Sequence, residues 1–587
     1  MNSISVSGKK WISKEFNSED IDFFKTNFFL DEIVAKLLSI RKIKKEEIKF
    51  FLEPSIKNIL PNPFILKEMD IAIERTVSAI LKKEKIGIFG DYDVDGATST
   101  AILGQYFESL NISFEIYIPD RKSEGFGPNE KAFLEFINLG VNLIFTVDCG
   151  TLSFEPIDFA KNKNIDVIIL DHHQSQIKLP NAHSIVNPNR FDDRSDLTYL
   201  CAAGVCFLFL VALNKKLREQ DWFALNSIQE PNLINILDLV SLGTVCDVVP
   251  LIGLNRAIVR QGLKIMKKKN NLGLKTLIEL CNVESSITAY HLGYVLGPRI
   301  NAGGRVGKST HGANLLLSTN AQEVFKIASD LNNYNKERQI LESELLNKIL
   351  NTNYQNSTDP VIILYGENWH EGVIGIIAAR VKEKFNKPTI IISVTSRIGK
   401  GSARSIYGFD IGSIIIGAVQ NELLIKGGGH KMAAGFTINM DKINEFKEFV
   451  FRKFRSINMN LEEKKNYYFD TEIAPSAVNF DFFEKVNLLA PFGSGNPEPR
   501  FIIENVRLIN SKIVGEKHIK SVLLGSDSTA LKTIAFNCVD TGLGSYLLKK
   551  NLKPFNIAGK LSLNEWRGQK NVEFIIDDIS VNKEQKN

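Results

Sequence analysis

The sequence predicts a multidomain α/β protein with a parallel-sheet domain, a long helical connector, a second α/β domain and a C-terminal β-barrel. Three observations lead to this prediction. The chain has 587 residues, and domains usually take about 100–200 residues each, so several domains are expected. Strand patterns alternate with helical patterns from residue 86 onward. After about residue 460, short strand patterns dominate.

The first 70 residues carry short helical patterns rich in Lys, Phe and Ile, and we assign residues 1–70 to an N-terminal helical segment. Residues 67–85 predict an amphipathic helix, because apolar residues recur there at three- and four-residue steps. The predicted apolar face consists of Ile71, Ile73, Val77, Ile80 and Leu81.

Residues 71–255 predict a domain built on a parallel sheet. Its strand patterns KIGIFG, SFEIYIP, NLIFTV and DVIIL are separated by helical patterns, which is typical of βαβ units. Three of these strands run directly into turns rich in Asp or His. Because ligands of open α/β sheets bind at the carboxyl ends of the strands, we expect these side chains to converge at one edge.

The remaining residues predict a connector and two further domains. Residues 320–351 form one long, charged amphipathic pattern, and we expect this helix to connect two lobes within a helical region at 256–352. A second α/β domain is predicted at 353–458. Five or six short strands at 459–587 favour a small barrel of the OB-fold type.

The composition excludes several classes of protein. It is 44% hydrophobic and 24% charged, as in globular proteins and unlike disordered or collagen-like chains. The longest apolar run, Cys201 to Leu213, is too short for a membrane span of ~20 residues, and the N-terminus lacks the apolar core of a secretion signal. Six cysteines without CxxC pairs indicate a reducing compartment, so we predict a cytoplasmic protein. The net charge of +5 is compatible with nucleic acid binding.

Acidic and imidazole side chains recur at the predicted strand ends. The turn GDYDVDG follows the first strand, TVDCG ends another, DHH ends a third, and one more acid lies in SLGTVCDVVPL. A single acidic turn is usually a solvated surface feature, but its repetition at three strand ends argues for one shared site. The residues concerned are Asp91, Asp93, Asp95, Asp148, Asp171, His172, His173 and Asp247.

This donor set indicates divalent metal chemistry. Carboxylate oxygens suit Mg²⁺, and an added imidazole shifts the preference toward Mn²⁺ or other transition ions. Two cations ~3.5–4 Å apart can bind the attacking and leaving oxygens of a phosphoryl group and lower the pKa of a bound water. The chemistry inferred is hydrolysis of a phosphoester or phosphoanhydride.

The motifs DYDVDG, TVDCG, DHH and GTVCDVVPL, in this order, resemble motifs I to IV of the DHH phosphoesterase superfamily, and GKGSARSI with GGGHKMAAG resembles its companion DHHA1 domain. Within the superfamily, the chain is most similar to the single-strand-specific 5′→3′ exodeoxyribonucleases. Matching segments run through nearly the whole chain: RKSEGFGPN, LCAAGVCFLF, GPRINAGGR, WHEGVIGIIAAR and LAPFGSGNPEP.

The resemblance implies the roles of individual residues. It makes Asp93, Asp95, Asp148, His172 and Asp247 ligands of two divalent cations, Mn²⁺ or Mg²⁺. Asp91 and His173 would be near neighbours that orient the ligands or the scissile phosphate. It further implies hydrolysis of phosphodiester bonds in single-stranded DNA, with release of 5′-mononucleotides, in DNA recombination and repair.

A second group of residues is predicted to bind phosphate. We expect a glycine-permissive loop to present Arg299, Asn301 and Arg305, because Arg grips phosphate with two parallel hydrogen bonds; the alternative is that these arginines bond to helix ends. The run AGGRVGKS fits a relaxed Walker A pattern, but Pro298 precedes it where a buried strand would be needed, so we predict no ATP site.

The glycine run of the second α/β domain predicts another anion site, because consecutive glycines let backbone N–H groups approach a phosphate; a simple tight turn is the alternative. Its predicted members are Ser402, Arg404, Gly428, Gly429 and His430. The resemblance adds Arg121 as a further phosphate contact and implies that this domain holds the 5′-phosphate end across a cleft from the metals. Such an anchor would explain exonuclease action.

The barrel is predicted to guide a single strand, because OB-folds stack bases on aromatic side chains along a basic groove. Most aromatic residues of the segment are expected in the barrel core, and Trp566 is the predicted exposed stacker. The resemblance implies single-stranded DNA as the substrate, with a single-strand-binding protein and a recombination helicase as partners. We further expect a monomer that does not associate with a membrane.

Two other functions stay open at this point. A DHH phosphodiesterase for very short oligonucleotides or cyclic dinucleotides is one, although residues 460–587 argue against it because such enzymes are usually shorter. A non-catalytic replication scaffold built on a decayed core is the other, although this chain keeps all the acidic ligands.

Overall fold

The computed structural model describes residues 5–121, 123–283, 286–351, 359–457, 466–549, 553–566 and 569–581. Of Trp566, it describes the backbone but not the side chain. In the described part of the chain, no helix is long and apolar enough to cross a membrane.

The N-terminal segment contains one strand and four short helices. Asn17 and Asp31 cap the first two helices by accepting a backbone N–H bond, at Glu19 and Ile33. The elements are β1 (Lys10–Ser13), α1 (Ser18–Phe28), α2 (Glu32–Ile40), α3 (Ile48–Leu52) and α4 (Ile56–Ile59).

A five-stranded parallel sheet follows, in the strand order β3-β2-β4-β5-β6. Its strands are almost entirely apolar because helices cover both faces. The strands are β2 (Lys85–Gly90), β3 (Phe114–Tyr117), β4 (Val141–Val147), β5 (Asp166–Leu170) and β6 (Ser184–Val186). The helices are α5 (Met69–Leu81), α6 (Val94–Ser109), α7 (Glu130–Asn138), α8 (Phe154–Asn162) and α9 (Ala202–Glu219).

The amphipathic helix predicted at 67–85 exists as α5, but its buried face was only partly predicted. Ile73, Val77 and Ile80 are buried, whereas Ile71 is 43% and Leu81 59% exposed. Met69, Ala72 and Thr76 complete the buried face instead, since the residues that face the core follow the helical spacing from Met69. The prediction for Ile71 and Leu81 was therefore wrong.

A helical region connects the two α/β domains. Its last helix has 30 residues and is the connector predicted at 320–351. The loop predicted for residues 299–305 is wrong, because these residues lie in a helix that begins directly after a π-helical turn at His291–Leu296. The helices are α10 (Trp222–Leu225), α11 (Leu237–Cys246), α12 (Gly253–Met266), α13 (Leu272–Leu280), α14 (Gly297–Val306), α15 (His311–Leu317) and α16 (Ala321–Leu350).

The second α/β domain has a mixed five-stranded sheet in the order β10-β11-β9-β8-β7. Only the β7–β8 pair is parallel among these strands. The strands are β7 (Ile362–Glu367), β8 (Thr389–Thr395), β9 (Ile398–Arg404), β10 (Lys426–His430) and β11 (Ala433–Asn439). The helices are α17 (Glu371–Phe385), α18 (Ile411–Gln420) and α19 (Ile443–Arg455).

The C-terminal strands close into a barrel of five strands in the order β14-β15-β16-β18-β17, with β17 pairing back to β14. This order, with its single parallel pair between β16 and β18, is that of the predicted OB-fold. The strands are β12 (Asn466–Phe469), β13 (Thr471–Glu472), β14 (Phe501–Val514), β15 (His518–Leu524), β16 (Ala530–Ala535), β17 (Phe555–Trp566) and β18 (Gln569–Ser580). The helices are α20 (Phe480–Asn487) and α21 (Gly542–Leu547).

The N-terminal segment packs on the barrel, at the other end of the sequence. β1 pairs in parallel with β12, and the indole Nε1 of Trp11 donates to Asp578 Oδ2 at 3.0 Å. Phe24, Val34, Leu38 and Ile48 share one hydrophobic core with the barrel strands. The domain boundaries drawn from the sequence stay a prediction, but the helices α1, α2 and α3 and the barrel bury their apolar side chains in one core.

Candidate active site

The acidic residues of three strand ends meet because the strands are in register. Gly90 of β2 pairs with Val147 of β4, and Val147 pairs with Leu170 of β5. The residues that follow in the chain, Asp91, Asp148 and Asp171, therefore emerge side by side at one edge of the sheet. The convergence expected from the sequence is present in the structure.

One imidazole contacts three carboxylates at this edge. His172 Nε2 lies 3.2 Å from Asp148 Oδ1 and 3.8 Å from Asp95 Oδ2, and His172 Nδ1 lies 3.6 Å from Asp247 Oδ2. Three groups of side chains place their ligand atoms within 4.8 Å of one another. The groups are Asp95 with His172 and Asp247, Asp91 with Asp93 and Asp148, and Asp148 with His172 and His173.

Backbone N–H groups at the N-termini of two helices fix the carboxylates of Asp93 and Asp95. Asp93 caps α6, and its Oδ1 accepts the Gly96 N–H at 3.0 Å. Asp95, in the first turn of α6, accepts the N–H groups of Ala202 and Ala203 at 2.6 and 3.0 Å, where α9 begins. The positive ends of two helices thus face the acidic cluster and stabilise its negative charge.

Asp171 has a different role from its neighbours. Its carboxylate accepts the N–H groups of His172, His173 and Thr151 and contacts the His173 Nδ1 at 2.8 Å. Burial alone would raise the pKa of Asp171, but His173 and these hydrogen bonds hold it below its ordinary value. Burial alone would lower the pKa of His173, but Asp171 raises it to about 9. Asp171 therefore orients the histidines.

The other carboxylates carry raised pKa values. Burial, followed by the charges of neighbouring Asp residues, raises the pKa of Asp247 to about 9 and that of Asp148 well above its ordinary value. Burial also raises the pKa of Asp91 and of Asp95. Burial lowers the pKa of His172, so its ring is neutral and able to bind a metal at neutral pH.

These residues fit a site for divalent cations. Asp91 Oδ1 and His172 Nε2 are buried and have no hydrogen-bond partner among the residues that the structure describes. Buried polar atoms are almost always paired, so two such atoms that face one acidic cluster fit the role of cation ligands. Carboxylates together with one neutral imidazole suit Mg²⁺ and Mn²⁺.

Three arginines form a second cluster beside the acidic one. The Arg121 guanidinium lies over the Tyr92 ring at 5.3 Å, Arg305 Nη1 donates to the Gly372 carbonyl at 3.2 Å, and Arg404 Nη1 donates to Ser402 Oγ at 3.2 Å. Among the described residues, no carboxylate forms an ion pair with any of the three arginines. Burial, followed by the charges of Arg121 and other arginines, lowers the pKa of Arg305 to about 10. Unpaired neighbouring cations of this kind suit an anion.

Helix α14 brings the two clusters together. A Cβ on Gly304 would lie 3.0 Å from the Tyr92 ring, which is tighter than most Cβ contacts, so glycine favours close packing of α14 against the turn between Asp91 and Asp93. Arg305 is the next residue, and Asn301 lies one helical turn before it on the same face. Arg299 points elsewhere, since it donates to Asn332 Oδ1 and to the Val295 carbonyl. These contacts favour a structural role for Arg299, although Asn332 lies within α16 and not at a helix end.

The strand register places the remaining predicted phosphate contacts in two rows of the second sheet. Ser402 pairs with Gly435, which pairs with Gly428, and Arg404 pairs with Ala433, which pairs with His430. Because paired residues project from the same face of a sheet, the side chains of His430 and Arg404 lie on one face. Their backbones are two strand spacings apart, about 10 Å. Gly429 is between the two rows on β10, an exposed edge strand.

The barrel aromatics divide into buried and exposed residues. Phe469 and Phe501 are buried, as expected for most of this set, whereas Tyr468 and Phe536 are half exposed. The prediction for Trp566 lies outside the described residues, because the structure does not describe that side chain.

One exposed aromatic pair close to the acidic cluster was not predicted from the sequence. The rings of Tyr290 and Tyr294 stack with centroids 5.2 Å apart, and they are 61% and 74% exposed. Gly293, between them, packs against Val245, two residues before Asp247. The available signal was two tyrosines four residues apart directly before GPRINAGGR.

Comparisons with known proteins match three family models in order along the chain. Residues 85–244 match the N-terminal domain of the DHH family, residues 358–456 match the DHHA1 domain, and residues 469–578 match the RecJ OB domain.

Curated relatives and a solved structure agree with these matches. The single-stranded-DNA-specific exonuclease RecJ of Escherichia coli is 34% identical over 94% of this chain and 96% of its own length. The protein of the same name from Bacillus subtilis is 30% identical over 98% of this chain and 72% of its own length. The structure of Thermus thermophilus RecJ in complex with Mn²⁺ has a TM-score of 0.80 and 26% identity, and the match covers 98% of this chain and 80% of that chain.

Proposed function

Because the chain belongs to the RecJ family of single-stranded-DNA-specific exonucleases, we propose that it removes 5′-mononucleotides from the 5′ end of single-stranded DNA by metal-dependent hydrolysis. The resemblance drawn from the motifs is confirmed, and so is the assignment as a metal-dependent exonuclease. The direction of digestion, the number of cations and the residue roles are proposals.

One observation carries the proposal: a cluster of buried carboxylates and imidazoles lies next to a cluster of arginines that form no ion pair with a described carboxylate. The two are adjacent because Gly304 packs on Tyr92 while Arg305 follows it on the same helix. A strand whose terminal phosphate binds Arg121, Arg305 and Arg404 would place a neighbouring phosphodiester at the carboxylates. If the arginines bind the terminal phosphate, the distance from the chain end to the carboxylates is fixed, which favours exonuclease over endonuclease action.

The proposed cofactors are two divalent cations, Mn²⁺ or Mg²⁺, held by Asp93, Asp95, Asp148, His172 and Asp247. When bound, they would neutralise the scissile phosphate and lower the pKa of the attacking water. The neutral His172 ring is poised to bind at Nε2, while the backbone N–H groups of Ala202 and Ala203 fix the direction of the Asp95 carboxylate.

Asp91 and His173 are proposed to act beside the ligands. His173 is protonated at neutral pH because Asp171 raises its pKa, and its side chain is partly exposed at the site. A cationic imidazole in this position can donate a hydrogen bond to a phosphate oxygen. The unpaired Asp91 Oδ1 can accept a hydrogen bond from a water that a cation positions.

Further proposals follow from the family. Single-stranded DNA is the substrate class, and the biological role proposed is recombination and repair. A single-strand-binding protein and a recombination helicase are the partners proposed, for a monomeric enzyme in the cytoplasm.

The direct test is digestion of a long, 5′-phosphorylated single strand labelled at its 3′ end, with Mn²⁺ or Mg²⁺. Native protein is compared with Asp95→Ala and with a metal-free sample, on the single strand and on a matched blunt duplex. The expected result is release of mononucleotides from the 5′ end of the single strand only, with loss of activity in Asp95→Ala.

Two outcomes would redirect the assignment. Cleavage of two- to five-nucleotide substrates with none on the long strand would indicate a short-substrate phosphodiesterase. Binding of DNA with no cleavage of any substrate would indicate a non-catalytic scaffold.

A further inference from the structure

The segment after Asp247 has an unusual backbone. Val248 adopts a left-handed conformation with φ +61°, although it is a β-branched residue. Such a conformation costs free energy and persists only where the surrounding structure enforces it. Val248 is 69% exposed, so contacts of its own side chain do not stabilise this backbone conformation.

A loop of the barrel domain holds this segment from outside. We call residues 489–496, LAPFGSGN, the barrel loop, and residues 248–252 the ligand turn. The Leu251 N–H donates to the Ser494 carbonyl at 2.8 Å. A Cβ on Gly493 would lie 2.8 Å from the Leu251 side chain, and a Cβ on Gly495 would lie 3.0 Å from Pro250. The barrel loop and the ligand turn are therefore in close van der Waals contact, and a side chain at Gly493 would displace Leu251.

The barrel loop is rigid because other elements bind its backbone. Arg256, on α12, is fully buried and donates to the carbonyls of Leu489, Ala490 and Pro491. Asn496, also buried, donates to the Leu489 and Pro491 carbonyls. Its Oδ1 accepts from Arg41 Nε at 2.9 Å, which ties the loop to the N-terminal segment.

We propose that the barrel loop is a positioning element of the metal site, which holds the strained ligand turn so that Asp247 stays directed at His172 and Asp95. Asp247 ends α11, and its Oδ2 lies 3.6 Å from His172 Nδ1. If the ligand turn relaxed at Val248, this carboxylate would move with it. The barrel domain would then contribute to metal binding as well as to strand binding.

This inference rests on the proposed role of Asp247 as a metal ligand. Residues that orient metal ligands typically change metal affinity by about 10- to 100-fold when altered. Gly493→Val would push Leu251 away from Ser494, so we expect it to weaken Mn²⁺ binding by at least about 10-fold. The readout is free Mn²⁺ in equilibrium titrations followed by electron paramagnetic resonance, which needs no substrate and no turnover.

Three reference variants make the test specific. Asp247→Ala measures the full loss expected when the ligand is absent. Gly542→Ala is the matched control, since it adds a methyl group elsewhere in the barrel domain, 3.5 Å from Val6, in ordinary contact. Val248→Gly removes the strain, because glycine adopts positive φ freely. In the Gly493→Val background it should restore part of the Mn²⁺ affinity.

The outcomes separate this inference from the proposed function. Weaker Mn²⁺ binding in Asp247→Ala but native binding in Gly493→Val would overturn the positioning role alone. Native binding in Asp247→Ala would overturn the ligand role itself. If Gly493→Val does not fold, as judged by circular dichroism, Gly493→Ala makes a smaller change at the same contact, because its Cβ alone would lie 2.8 Å from Leu251, and native Mn²⁺ affinity in that variant would overturn the inference.

Discussion

His172 Nε2 lies 3.2 Å from Asp148 Oδ1, and yet this buried ring nitrogen has no hydrogen-bond partner within the described part of the chain. Burial keeps the His172 ring neutral and raises the pKa of Asp148. The two atoms are thus a pair of potential ligands, and a cation between them would satisfy both.

The first prediction concerns the protons that metal binding displaces. Asp247, with a pKa of about 9, is largely protonated at pH 7.5 without metal, and burial with neighbouring carboxylates also raises the pKa of Asp148. Mn²⁺ needs ionised carboxylates, so its binding should release about one proton or more, and its affinity should increase with pH up to about 9. Titration calorimetry in buffers with different ionisation enthalpies measures this number.

The variant Asp247→Asn is the control for this measurement. It cannot release the Asp247 proton, so the number released should fall by about one. Equal binding enthalpies of the native protein in all buffers would contradict the prediction.

The second prediction concerns the stability of the metal-free protein. A carboxyl group whose pKa is raised on folding adds stability at low pH, and this contribution is lost as pH increases toward the folded pKa. For Asp247 the loss extends from about pH 4, near the ordinary pKa of 3.8, to about pH 9. The melting temperature in EDTA should therefore fall between pH 6 and pH 9, and it should fall less in Asp247→Asn. A melting temperature that increases over this range would refute the assignment.

The acidic site could be predicted from the sequence because its signals are local. Each of Asp91, Asp148 and His172 follows a recognisable strand, and parallel strands end at the same edge of a sheet. The barrel and the connector α16 were predicted for the same reason, since their periodicity is contained within each segment.

Contacts between distant segments could not be predicted in this way. Trp11 and Asp578 are separated by 567 positions, and nothing in either segment specifies the other. The glycines of α14 suggested a loop, but Gly303 faces Leu331 and Gly304 faces Tyr92, so they permit close helix packing. Pro298 is accommodated because it lies just after the π-helical turn at His291–Leu296, where the regular hydrogen-bond pattern of the α-helix is already interrupted.

The third prediction concerns recognition of the 5′-phosphate. Arg404 has no carboxylate partner among the described residues, so Arg404→Ala should weaken binding of a 5′-phosphorylated strand by about 10- to 100-fold. Binding of the same strand with a 5′-hydroxyl should change little. Arg299→Ala is the matched control, since Arg299 bonds Asn332 and Val295 and should not affect the preference for phosphate. Equal losses on both strands in Arg404→Ala would contradict a 5′-phosphate contact.

The fourth prediction concerns the exposed tyrosine pair beside Asp247. Stacking of a base on an aromatic ring contributes about 1–3 kcal/mol, so Tyr294→Ala should weaken single-strand binding by about 10-fold. Fluorescence anisotropy with Ca²⁺ in place of Mn²⁺ measures this without digestion. The control is Tyr365→Ala, an exposed tyrosine on β7 at the edge of the second sheet opposite to β10. Similar binding by both variants would exclude stacking at Tyr294.

The fifth prediction concerns the contact between the two ends of the chain. Trp11→Phe keeps most of the buried ring but removes the N–H that Asp578 Oδ2 accepts, and it leaves a buried carboxylate with fewer donors. The cost should be about 1.5–3 kcal/mol, as for other hydrogen bonds to charged groups. Hydrogen exchange should accelerate in β1 and in β17–β18 together, because these strands share one core, while the parallel sheet with the acidic cluster keeps its protection.

Lys10→Ala, at an exposed position of the same strand, is the control and should leave exchange unchanged. Faster exchange confined to β1 would show that the barrel folds without the N-terminal segment.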